Sequence, residues 1–273
     1  MNWAVIIGID RYWSDQASLR GAVHDALAMR KWVLDPAGGN VPEQQLLLLL
    51  SPREGENPGV KSIEATKDNI NLAINDLMLI SNGEGERLYF FFAGHGLTAR
   101  VSNRDENALV TSGFNAVNTD HSIALRSLWE FFETTQFRDQ FFFVDACRNV
   151  PRWEQDEFEI GRWTLPRSRD PGKPPVQQFI LYATSPGLKA VEVRDVPGAE
   201  HGAFTGALLD GLNGDAAAKA WSWERECYEV RWERLVDYVR GRVEAEKREA
   251  GDAAGLLQVP QDAGTPWRSR PRP

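Results

Sequence analysis

The stretch Phe141–Asn149 reads FFFVDACRN. Four apolar residues, three of them aromatic, spell a short strand buried in a core, and the run stops at Asp145, Ala146, Cys147 and Arg148. A thiol therefore stands where a core strand ends. In an open parallel α/β sheet, ligands bind in the crevice outside the carboxyl ends of the strands, so a nucleophile there faces substrate. Leu88–Ala93, LYFFFA, ends the same way, on Gly94, His95 and Gly96. If the two strands are neighbours, His95 and Cys147 meet.

Working outward, Trp3–Ile9 is a continuous apolar run closed at Asp10, as expected of a strand buried on both faces. Ala22–Leu34 sets Val23, Ala26, Leu27 and Leu34 at helical spacing before Pro36 and Gly38 end it. Gln45–Leu50 reads as a second strand and Arg53–Val60 as a solvent loop. Thr66 reads as the cap of a helix over Asp68–Ile80. Strand, helix, strand, helix, strand implies an α/β fold with a mostly parallel sheet and right-handed crossovers. Beyond His95 the pattern suggests a polar loop, a short apolar piece at Ala108–Val110 and a helix near Ser122–Thr134.

Pro151–Pro175 carries five prolines and many charges and reads as an exposed, mobile loop. Phe179–Thr184 and Ala190–Val193 read as strands, Phe204–Leu212 and Trp232–Lys247 as helices. Residues 1–250 are then expected to form one domain. Residues 251–273, with three prolines and three arginines from Thr265 onward, are expected to be a tail or linker.

The 273 residues are 42% hydrophobic, enough for a substantial core. A net charge of -8 argues against a polyanion-binding surface, so nucleic acid is not expected as a ligand. Cys147 and Cys227 lack metal-ligand spacing, so neither a metal nor a disulfide framework is implied, and nothing calls for a cofactor. No apolar run approaches the roughly 20 residues of a membrane span, and Met1–Asp10 lacks the layout of a signal peptide. A cytoplasmic protein without membrane contact is the expectation. His24, His121 and His201 have no nucleophile at matching spacing, Cys227 reads as structural, and Trp221, Trp223 and Trp232 read as core, with an exposed docking patch as the alternative.

A thiol of pKa near about 8.5 is only partly ionised at neutral pH, yet that fraction attacks acyl carbons readily. His95 can deliver a proton to a leaving amine, and the Gly96 N–H can meet an oxyanion. Together they describe an acyl-transfer site. The plain alternatives are a buried free cysteine and a histidine that satisfies a backbone carbonyl.

AGHG at Ala93–Gly96 and DAC at Asp145–Cys147 resemble the histidine and cysteine motifs of the caspase-like cysteine peptidases, caspases and metacaspases among them. VIIGID from Val5, LRGAVHDA from Leu19, YATSPG from Tyr182 and GAFTGALL from Gly202 are similar to other segments of that family. The resemblance spans about residues 2 to 240. It implies a three-layer sandwich, a protein substrate, His95 and Cys147 as catalytic dyad, and the Gly96 and Cys147 N–H groups as oxyanion hole. Where caspases carry an aspartate-binding glutamine and arginine, this chain has Asp145 and, by loop counting, Glu192; Asp25 matches a second metacaspase aspartate. Three carboxylates imply cleavage after Arg or Lys. The family also implies self-cleavage within 151–175, where Arg152, Arg162, Arg167, Arg169 and Lys173 lie, and a bacterial stress, cell-death or defence role triggered by a protein partner. Two alternatives stay open at this point: a silent caspase-like scaffold, and cleavage after Asp.

Overall fold

The computed structural model describes residues 1–15, 17–101, 104–115, 117–146, 160–161, 175–184, 192–193, 201–215, 217–249 and 260–264. In chain order its elements are β1 (Asn2–Ile9), α1 (Ala22–Leu34), β2 (Leu46–Ser51), α2 (Lys67–Ser81), β3 (Glu84–Gly94), β4 (Gly96–Val101), β5 (Arg104–Val110) and β6 (Ser122–Ala124). They continue with α3 (Leu125–Glu133), β7 (Gln136–Ala146), β8 (Gln177–Tyr182), β9 (Glu192–Val193), β10 (His201–Gly202), α4 (Ala203–Leu212), β11 (Lys219–Ser222), β12 (Cys227–Val230), α5 (Trp232–Glu249) and β13 (Gln261–Gly264).

Alternation along the strands sends side chains into two cores. Val5, Ile7 and Ile9 of β1 join Phe90 and Phe92 of β3 under α2 and α3. Ala4 and Ile6 join Tyr89 and Phe91 under α1, α4 and α5. Because both faces are covered, these strands are apolar at nearly every position. The result is a three-layer α/β sandwich, as the sequence implies.

The central sheet runs β13-β8-β7-β3-β1-β2, parallel except for the antiparallel β13. Strand order turns at β1: the next strand, β2, lies on one side, and β3 and β7 lie on the other. In sheets of this kind ligands bind outside the carboxyl ends of the strands at such a turn in strand order. The register sets Gly94 of β3 opposite Ala146 of β7. The residues that follow them in the chain are His95 and Cys147.

Four features differ from the sequence expectation. The supposed polar loop after His95 holds a three-stranded antiparallel sheet, β4-β5-β6, whose first two strands carry many charges. Within 151–175, Ile160 and Gly161 are buried rather than exposed; the rest of that segment, apart from Pro175, lies outside the described residues. Gln261–Gly264, in the stretch assigned to a tail, forms the edge strand β13, pinned by an Arg240–Asp262 ion pair at 2.6 Å. Trp221 and Trp223 are exposed on the β11–β12 hairpin, where Cys227 is an exposed free thiol; of the three tryptophans read as core, only Trp232 packs inward.

Candidate active site

The loop after β1 builds one wall of the site. Asp10, buried at the strand end, accepts hydrogen bonds from the Ala22 and Val23 N–H groups at 2.9 and 3.3 Å. It thus caps α1, whose own N-cap, Gly21, has no side chain to do so. Between them, Ser14 gathers the turn: its carbonyl accepts from the Ala17 and Ser18 N–H groups. That turn presents the Ala17 carbonyl to His95, whose Nε2 lies 2.6 Å from it.

A carbonyl oxygen only accepts, so Nε2 carries the proton and, in the neutral ring, Nδ1 is the basic nitrogen. A histidine bonded to a carbonyl and a histidine competent for proton transfer are thus one arrangement. Tyr12 fixes the other coordinates: the His95 N–H donates to the Tyr12 hydroxyl at 2.7 Å, and the two rings lie 4.5 Å apart. Trp13 completes the aromatic surround, 6.3 Å from the imidazole. Gly94 precedes His95 with φ of +157, and a Cβ there would sit 2.5 Å from the Tyr12 hydroxyl. Only glycine leaves room for that approach.

The acidic residues gather on the α1/α4 side of the sheet. Asp145, on the same face as Phe143, accepts a hydrogen bond from Thr205 Oγ1 at 2.6 Å. Asp25 accepts from the Gly202 N–H at 2.9 Å. Both carboxylates are buried, at 4% exposure for Asp25 and 7% for Asp145. They converge on Gly202: a Cβ there would strike Asp145 Oδ2 and lie 3.2 Å from Asp25 Oδ2. The backbone of Glu192 pairs with Gly202 across the β9–β10 ladder. Three positions far apart in the chain thus neighbour one glycine.

Gly96 opens β4 directly after His95. Cys147 lies outside the described residues, as do Arg152, Arg162, Arg167, Arg169 and Lys173. Sequence reasoning missed Ala17, Tyr12 and Asp10. The first acts through its backbone, which leaves no residue-type signature, whereas the aspartate closing β1 was visible as a strand terminator. Among the described residues no cluster of three or more His, Cys, Asp or Glu is arranged to hold a metal, and no helix is long and apolar enough to cross a membrane.

Comparison with known proteins adds three findings. A family model described as the caspase domain matches residues 1–269. A curated protein of a Desulfuromonadales bacterium, named as a probable protease, is 46% identical over 269 residues, covering 96% of this chain and 32% of that protein. The chain spans about a third of the length of that relative. Among solved structures, caspase-1 from Spodoptera frugiperda is similar at a TM-score of 0.57 and 17% identity, over 96% of this chain and 85% of that one. A protein from Geobacter sulfurreducens is similar at 0.56 and 11% identity, over 98% and 95%.

Proposed function

The chain belongs to the caspase-domain family, and from that premise we propose that it is a cysteine endopeptidase that cuts protein chains after Arg or Lys. The observation that carries this reading is the β3–β7 register, in which Gly94 faces Ala146 immediately before His95 and Cys147. The Cys147 thiolate attacks the scissile carbonyl while the Gly96 and Cys147 N–H groups receive the oxyanion. His95 takes the thiol proton at Nδ1 and passes it to the departing amine, and a water molecule then hydrolyses the thioester, returning the carboxylic acid and the thiol. The Ala17 carbonyl holds Nε2 and so leaves Nδ1 for that transfer.

Specificity rests on Asp25 and Asp145. Two buried carboxylates beside one glycine, at the end of the strand that leads to the thiol, concentrate negative charge next to the nucleophile. A planar guanidinium or an ammonium complements that charge, while an acidic side chain would meet like charge in a desolvated place. Glu192 joins them as a third acidic position. Self-cleavage between about Arg152 and Lys173, and a stress, cell-death or defence role triggered by a protein partner, rest on likeness to the family.

Fluorogenic peptides ending in Arg, Lys or Asp, with Cys147→Ala as control, test the reading. Turnover after Arg or Lys that vanishes in the variant is expected. Cleavage only after Asp would overturn the specificity, and no turnover with any peptide under any activating condition would favour a silent scaffold.

A further inference from the structure

Gly161 stands in the middle of the connection between β7 and β8, yet it is fastened like a residue of a sheet. Its N–H donates to Ser122 Oγ at 3.2 Å, and its carbonyl accepts from the Ala124 N–H at 2.8 Å. Ile160 beside it is buried in the core that holds Ile123, Leu125 and Val110. Nothing larger than glycine fits: a Cβ would strike the backbone oxygens of Ser122 and Asp120 and lie 2.9 Å from Lys67 Nζ. Two of those obstacles are backbone atoms, which cannot swing aside.

The strand that receives Gly161 is tied in turn to the histidine. Ser122 pairs with Val110 in the β5–β6 ladder. The Val110 N–H donates to the His95 carbonyl at 3.0 Å, and the Val110 carbonyl accepts from the Tyr12 hydroxyl that also receives the His95 N–H. A continuous series of hydrogen bonds and one strand pair thus runs from His95 to Gly161.

We infer that Ile160 and Gly161 form a tether between the chain that follows the nucleophile and the strand pair that holds the histidine, with Gly161 and Ser122 as positioning residues for the peptidase reaction. The inference rests on the reading of His95 and Cys147 as a dyad. Release of the tether is expected to disturb the relative placement of the two halves of the dyad without emptying the substrate pocket, which is built from α1, β7 and β10. A drift of about 1 Å between reacting groups is enough to cost up to about 100-fold in rate.

The test uses the full chain carrying Cys227→Ser, so that Cys147 is the only thiol. The rate of its alkylation by iodoacetamide is followed across pH, beside kcat and KM on an Arg peptide. Gly161→Ala is expected to lower kcat about tenfold with KM held within about twofold, and to move the alkylation profile toward that of His95→Ala. Ser122→Ala, which removes the hydroxyl's bonds from the Gly161 N–H and to the Thr119 carbonyl and adds no bulk, is expected to do the same at about threefold, and it carries the test if Gly161→Ala fails to fold. A profile that moves in His95→Ala but stays in place in both tether variants overturns the tether alone. A profile that His95→Ala leaves unmoved overturns the dyad and, with it, the tether.

Discussion

In its amino half β7 buries Gln140, and at its carboxyl end it buries Asp145. The Gln140 amide donates to the Phe132 and Phe137 carbonyls at 2.8 and 3.1 Å and accepts from Gln178 at 3.0 Å. Gln178 also donates to the Trp129 carbonyl. These are neutral groups that satisfy neighbouring backbone, and the network is complete within the fold. Asp145 takes its hydroxyl partner from Thr205 and brings a formal charge to a place it shares with Asp25. One end of the strand spends its polar group on structure. The other, under the proposed specificity, keeps a charge for a basic substrate side chain.

That contrast sets the size and kind of effect expected on each side. Asp145→Asn keeps the volume and removes the charge, so kcat/KM on an Arg peptide is expected to fall about 100-fold while the melting temperature shifts by only a few degrees. Gln140→Ala is expected to do the reverse, costing about 2 kcal/mol of stability in urea unfolding because buried partners lose their bonds, with kcat per folded molecule retained. If Asp145→Asn lowers the melting temperature strongly and leaves kcat/KM on the Arg peptide unchanged, the contrast is broken.

The smallest effect sharpens it. Tyr238 of α5 donates to Asp215 at 2.5 Å, and burial first, then that bond, pushes its pKa up to about 12. The folded protein holds this proton more tightly than the unfolded chain does. The stabilisation is therefore complete below about pH 10, the unfolded value, and is lost as pH rises through the folded value. Tyr238→Phe is expected to be less stable than wild type at pH 8, with the gap closing toward pH 12 in urea midpoints. A gap that widens with pH would reverse the assignment.

What was legible in the sequence follows from how local each signal is. The bounds of α1, Ala22–Leu34, agree with the expectation because Pro36 and the glycines end the helix within a few residues. Thr66 caps α2 as expected, its hydroxyl accepting from the Asn69 N–H. The strands β4 and β5 escaped notice because RDENALV is mostly polar and draws its order from pairing. Trp221 and Trp223 misled because hydrophobicity says what prefers burial, while a short hairpin has nowhere to bury it. At the candidate site, the motifs marked His95, Asp25 and Asp145, whereas the contacts of Ala17 and Gly161 are made by backbone atoms that any sequence pattern leaves unmarked.

The edge strand β13 bears on how the protein can be handled. It covers the outer rim of β8 and is bound to α5 through Arg240, which donates to the Pro260 carbonyl and pairs with Asp262. A shortened chain ending near residue 250 would strip that cover and leave the N–H and C=O row of β8 open. An open rim of this kind is a template on which other chains add strands, so such a fragment would tend toward aggregates even with every residue of the candidate site present.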